Sequence, residues 1–203
     1  MNAVQKKQKL RKIESLKKVL QAEYKEFRCY NDSYNIRYSI AEIYFEIGAH
    51  SKTSKYLNWF NRSFPNDVTY SSFQLAAAVA YFETKSIRKA FQAIIKLNAL
   101  NLYVVDLLIG NPVKDHNKYE LSESETLKSA KEQFEDLLKL TSPNFNTWLT
   151  KIHSEIDYQT SFKEYLSILK LIKGLEVSEE RSNLLNESIE CIEKWAFKYK
   201  TII

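Results

Sequence analysis

An all-α fold of antiparallel helical hairpins is what this 203-residue sequence predicts. Three observations lead there. Only three glycines and three prolines stand among 24 Tyr and Phe residues, so chain breakers are too few for the many turns of a β fold. Apolar residues recur at steps of three and four along most of the chain, as amphipathic helices require. And one pattern occurs twice: Ala41 precedes Tyr44 by three residues, and Ala78 precedes Tyr81 in the same way, 37 positions on. A repeat of that period points to stacked helical hairpins.

The first helix is expected over Lys6 to Phe27, with Leu10, Ile13, Leu16, Val19, Leu20, Tyr24 and Phe27 on its apolar face. Asn31, Asp32 and Ser33 are good N-cap types, so a second helix runs from about Tyr34 to Ile47. Gly48 stands where a left-handed C-cap belongs. Ser51 can cap a third helix, to about Ser63, and Pro65 ends that pair. Asp67 or Thr69 starts a fourth, to about Glu83, and Ser86 caps a fifth, to about Leu97. A short apolar element over Tyr103 to Ile109 is closed by Gly110 and Pro112. Residues 111–121 are the longest irregular stretch.

Ser122 to Glu125 place caps and acids at the start of a further helix, where the helix dipole favours them. Leu127, Ala130, Phe134, Leu137, Leu138 and Leu140 form its apolar face, and Pro143 breaks it. Helices over about Asn144 to Ile156 and Thr160 to Ile172 follow. Ser178 with Glu179 and Glu180 caps the last, which buries Leu184, Leu185, Ile189, Ile192, Trp195 and Ala196. The chain thus divides into a basic helix and connection (1–33), two hairpins plus a short helix (34–110), and a C-terminal helical part (111–203).

Charge is unevenly spread. Residues 1–18 hold Lys6, Lys7, Lys9, Arg11, Lys12, Lys17 and Lys18 against Glu14, a net of +6, whereas the remaining 185 residues carry −1. A general nucleic-acid surface would spread its cations over a folded face. The longest unbroken apolar run, Leu75 to Phe82, has eight residues, while a membrane span needs about 20. The basic start lacks the apolar block of a secretory signal. A cytoplasmic protein is expected, with Cys29 and Cys191 as free, at least partly buried thiols.

The segment Tyr34–Asp67 resembles a tetratricopeptide repeat. That family asks for a small residue, an aromatic three further on, a turn glycine, then a small residue, an apolar one and a proline. Here these are Ala41, Tyr44, Gly48, Thr53, Leu57 and Pro65. The copy that starts at Ser71 supplies Ala78, Tyr81, Ala90 and Ile94. Arg37 departs from the usual large apolar residue, Lys85 replaces the glycine and Leu102 the proline. Asn66 to Val68 offset the second copy by three residues. A fainter likeness, over Asn98–Gly110, Ser122–Ala130 and Trp148-Leu149, is to tetratricopeptide-like proteins related to suppressor-of-tumorigenicity proteins. The resemblance implies a right-handed superhelix whose first helices line a concave, ligand-facing side. Carried over by position, that face is Asn35, Tyr38, Glu42, Phe45 and Glu46, then Ser72, Leu75, Val79, Phe82 and Glu83. It lacks a Lys/Arg cluster for a terminal carboxylate and suits an apolar segment with positive flanks.

No catalytic, cofactor or metal motif stands out. There is no HExxH, no GxSxG and no phosphate loop, since Gly48, Gly110 and Gly174 are isolated. His153, Glu155 and Asp157 step by two and point in different directions on a helix. A Cys–His dyad would meet in space, and sequence leaves it open. The expected role is a non-enzymatic interaction module for a protein or peptide partner, or for a second copy of the chain. Two other classes stand beside it: binding of nucleic acid or an anionic surface through Lys6–Lys18, and an enzyme with a site assembled between helices.

Overall fold

The structure, a computed structural model, describes residues 1–30, 35–65, 67, 69–119, 121–122 and 126–198. The expected caps at Asn31, Asp32, Ser33 and Glu123 to Glu125, the hairpin start at Tyr34 and the offset residues Asn66 and Val68 lie outside them. The described residues form ten helices and no strand: α1 (Ala3–Phe27), α2 (Ile36–Glu46), α3 (His50–Ser63), α4 (Ser71–Glu83), α5 (Ile87–Leu100), α6 (Val104–Ile109), α7 (Leu127–Leu138), α8 (Pro143–Ser154), α9 (Ile156–Lys173) and α10 (Glu179–Lys198). No described helix is long and apolar enough to cross a membrane.

Local chemistry explains where several helices begin. Asn2 and Gln5 form a reciprocal capping box, so α1 opens three residues earlier than its apolar spacing predicts. Thr126 accepts from the Ser129 N–H, so α7 opens later than Ser122. Ser142 caps α8 with Pro143 in its first turn, where a missing N–H costs nothing. Neither Ser51 nor Asp67 nor Thr69 serves as a cap: Ala49 and Tyr70 hold the N-cap positions of α3 and α4. Ser86 holds that of α5 without a side-chain hydrogen bond.

The two hairpins repeat in space as they do in sequence. At Gly48 (φ 68°) and Lys85 (φ 61°) the chain turns through the left-handed region. The Gly48 N–H donates to Phe45 O at 2.8 Å and the Ala49 N–H to Tyr44 O at 2.9 Å. The Lys85 N–H donates to Phe82 O at 2.9 Å and the Ser86 N–H to Tyr81 O at 2.8 Å. Ala41 and Ala78 are fully buried, as are Thr53 and Ala90, so the helices of each pair approach closely. Thr53 is tolerated there because its hydroxyl donates to Ala49 O. Arg37, the departure from the family pattern, ion-pairs with Asp67 at 3.1 Å and lies over the Phe64 ring.

A Cβ at Gly48 would meet nothing within 4 Å, so only the backbone conformation opposes a side chain. Left-handed residues cost roughly 1–2 kcal/mol, and glycine returns about 0.5–1 kcal/mol of that in chain entropy. Gly48→Ala is therefore expected to lower stability by about 0.5–1 kcal/mol, and Lys85→Gly to raise it by a similar amount. Urea titrations of the two variants check both signs at once.

Helix α4 is the hub. Its sequence, SSFQLAAAVAYFE, is apolar all round, and it packs against α2, α3, α5, α7 and α8. The main core runs from Tyr38 of α2 to Ala196 of α10, so residues on both sides of the break at 110/111 share it. A second cluster joins α1 to α2 through Ile13, Leu20, Ile40 and Tyr44, and a third holds α9 against α10. The apolar face expected of α1 is only partly used: Ile13 and Leu20 are buried, but Val19, Tyr24 and Phe27 are exposed. The partner α2 has 11 residues against 25 in α1, too few to cover its last turns. On α10, Leu185 and Ile189 face outward while Ser188, Cys191, Trp195 and Ala196 are buried. Cys29 is exposed rather than partly buried, at the end of α1.

Candidate functional site

Of the ten positions expected on the concave face, four are core. Tyr38, Phe45, Leu75 and Val79 are each at most 5% exposed. Tyr38 packs on Phe60 and Phe73 and its hydroxyl donates to Asp67 at 2.8 Å. Phe82 meets Phe145 edge-on and Trp148 at 5.0 Å, so α8 covers it. Glu83 accepts from the Ser142 hydroxyl at 2.6 Å, which ties the end of α4 to the cap of α8. The C-terminal helices therefore occupy the side of α4 that an open superhelix would leave free.

The remaining four positions converge. Asn35, Glu42, Glu46 and Ser72 line one cleft of about 620 Å³, together with the core residue Phe45 and with Tyr70, Gln133, Asp136 and Leu137. Helix α2 supplies one wall and the start of α4 another, while α7 faces them. Glu42 accepts from the Ser72 hydroxyl at 2.7 Å and from the Tyr70 hydroxyl at 3.1 Å, which fixes its carboxylate. Glu46 is ion-paired with Lys9 of α1. Leu137 adds apolar surface, and the buried Phe45 ring lies beneath. Three carboxylates thus stand around a cleft with an apolar floor. Tyr70, Gln133 and Asp136 carry no sequence signal for this role, since they come from a connection and from a helix outside the repeat. Leu137 reads in sequence as core.

Burial holds the Glu42 carboxyl above the usual glutamate range; the Ser72 and Tyr70 hydrogen bonds pull it back, and the Glu46 charge pushes it up again. The ionised form is thus less favoured in the fold than in the unfolded chain. This cost is fully present above the folded pKa and is relieved as pH falls through it towards the unfolded value, about 4.3. Glu42→Gln removes the charge and keeps both contacts, with its amide oxygen accepting from one hydroxyl and its NH2 donating to the other. Its thermal midpoint should exceed that of the wild type at pH 7, and the gap should close below about pH 4.3. A gap independent of pH would contradict this assignment.

The basic residues of α1 differ in their surroundings. Lys6, Lys7, Arg11, Lys12 and Lys18 are exposed, whereas Lys9 pairs with Glu46 and Lys17 donates to the Tyr44 hydroxyl at 2.8 Å. The histidines have separate surroundings. His50 opens α3, and burial lowers its pKa. His116 is packed by Tyr103 and Phe162. His153 lies 3.5 Å from Asp106; burial lowers its pKa more than Asp106 raises it. Among the described residues no group of three or more His, Cys, Asp or Glu is placed to hold a metal ion. No protein-family model matches the chain, and neither a curated protein nor a solved structure matches it.

Proposed function

We propose that this chain is a non-enzymatic, tetratricopeptide-like interaction module that captures a cationic segment of a protein partner in the cleft between α2, α4 and α7. One observation carries the reading: five of the ten positions that the repeat resemblance marks as ligand-facing line that single cleft. Its chemistry selects the ligand. Glu42 attracts Lys or Arg, Glu46 and Asp136 exchange the chain's own Lys9 and Lys139 for the ligand's cation, and Leu137 accepts an apolar neighbour. Lys9 already seats an ammonium on Glu46, so the chain itself supplies an example of the contact. This agrees with the apolar segment with positive flanks expected from the sequence.

Selection from a displayed random-peptide library tests it. Peptides with Lys or Arg beside an apolar residue should be enriched on the wild type. The double variant Glu42→Gln/Glu46→Gln should bind them at least about tenfold more weakly, the order of one buried charge contact. No enrichment, or equal binding by a folded double variant, rejects the proposal.

A further inference from the structure

The sequence of α1 shows no aromatic residues interleaved with its cations in the way a base-stacking surface needs. The fold supplies them from elsewhere. Tyr30, just past the end of α1, and Tyr56 and Trp59 of α3 meet Lys17, Leu20 and Gln21 around a pocket of about 310 Å³. Tyr30 meets Trp59 edge-on at 5.6 Å, and Tyr56 lies 5.1 Å from Trp59. Tyr24, exposed on α1, stacks on Tyr30 at 5.0 Å and extends the aromatic row outward. Planar walls of this kind accept a flat, polarizable group, and the volume reaches the lower end of small-ligand sites, about 300 Å³.

Charge decides what that group belongs to. Helix α3 carries Lys52, Lys55 and Arg62 and no acid, and all three are exposed. Lys52 sits one turn before Tyr56 and Lys55 one turn before Trp59, so these cations flank the rings. On α1, exposed Lys18 and Lys25 lie within one turn of Gln21 on either side. Glu23 and Glu26 lie about 140–160° round the helix from Gln21, by the turn angle of an α-helix. Glu14 is 3.6 Å from Lys17. The Lys17 ammonium is fixed at the pocket wall by its hydrogen bond to Tyr44, which also raises its pKa. An aromatic cage with a fixed ammonium in its wall repels a cationic ligand such as a methylated lysine. It favours a planar group attached to an anion.

We infer that the α1–α3 face binds single-stranded nucleic acid, with one base held among Tyr30, Tyr56 and Trp59 and the flanking phosphates on Lys18, Lys25, Lys52 and Lys55. This is the combination of stacking platform and cationic track that binds single strands with little sequence preference. The face shares no residue with the α2–α4–α7 cleft, so the two sites are testable separately.

Fluorescence anisotropy of the full chain with a labelled oligo(dT), its duplex form and a trimethyl-lysine peptide provides the test. The single strand should bind more tightly than the duplex. Trp59→Ala should weaken it about 5- to 150-fold, the span measured for loss of one stacking partner, while Trp59→Phe keeps most of the affinity. Because Trp59 also packs against the α1–α2 core, a surface variant stands beside it. Lys52→Gln/Lys55→Gln should reduce the slope of log K against log salt by about 1.4, or about 0.7 for each phosphate no longer neutralised. Absence of binding at low salt overturns the inference, as does equal affinity for duplex and single strand. So do an unchanged salt slope in the lysine variant and capture of the methylated peptide in place of the strand.

Discussion

Phe45→Ala is expected to destabilise the protein by about 3–5 kcal/mol, the usual cost of emptying a phenylalanine site in a core. The ring is 1% exposed and belongs to the main cluster with Ala41, Leu75 and Val79. Whole-domain stabilities are about 5–15 kcal/mol, so the variant should sit close to its unfolding transition at ambient temperature. Urea unfolding followed by far-ultraviolet circular dichroism reads the loss. A cost below about 1 kcal/mol would show that the ring is a surface anchor rather than core. Phe45 both supports the fold and floors the cleft, so its removal cannot report on ligand capture alone. Glu42 and Glu46 can, because they are half-buried and their substitution leaves the packing in place.

Trp195→Ala should be nearly as costly, and it addresses a different part of the chain. Trp195 is 1% exposed and meets Tyr158 edge-on at 5.0 Å, with Phe162 at 5.9 Å. Its indole N–H is buried and has no hydrogen-bond partner among the described residues. An unpaired buried donor costs about 1–3 kcal/mol, so the loss should fall near the lower end of the usual 3–5 kcal/mol for a tryptophan truncation. Because Trp195 shares one cluster with α2, α4 and α8, the destabilised protein should still unfold in a single transition. Calorimetry that resolves an early transition of α9 and α10 alone would contradict a shared core.

Much of the helical pattern was legible from spacing, less of it from caps. Gly48 and Ser178 mark a turn and a cap by chemistry that is local to a few residues, whereas Ser51, Asp67, Thr69 and Ser122 are cap types that the fold does not use as caps. The 37-residue repeat was also legible, down to equivalent turns at Gly48 and Lys85. Lys85 shows that the conformation is kept where the glycine is not. Facing was harder. Ile189 and Leu185 are apolar at helical spacing, yet α10 turns them outward, because α5 and α9 approach its other side. Nothing within α10 encodes where those helices lie. The cleft was half legible for the same reason. The repeat marks Glu42, Glu46 and Ser72, but the wall that faces them comes from α7, about 90 residues further on, with no periodic link to α2. Aromatic residues near α1 were invisible in its own sequence, since Tyr56 and Trp59 reach it only through the α2–α3 turn.

The claim that the α2–α4–α7 cleft holds a cationic segment is tested most directly by photo-crosslinking. A selected peptide carrying a photoreactive group beside its Lys or Arg is bound to the wild type, irradiated and mapped by mass spectrometry. Adducts should fall on α2 and α7, near Glu42, Phe45 and Leu137, and should be lost in Glu42→Gln/Glu46→Gln. Adducts confined to α9 and α10, or unchanged in that variant, would contradict the assignment of the cleft.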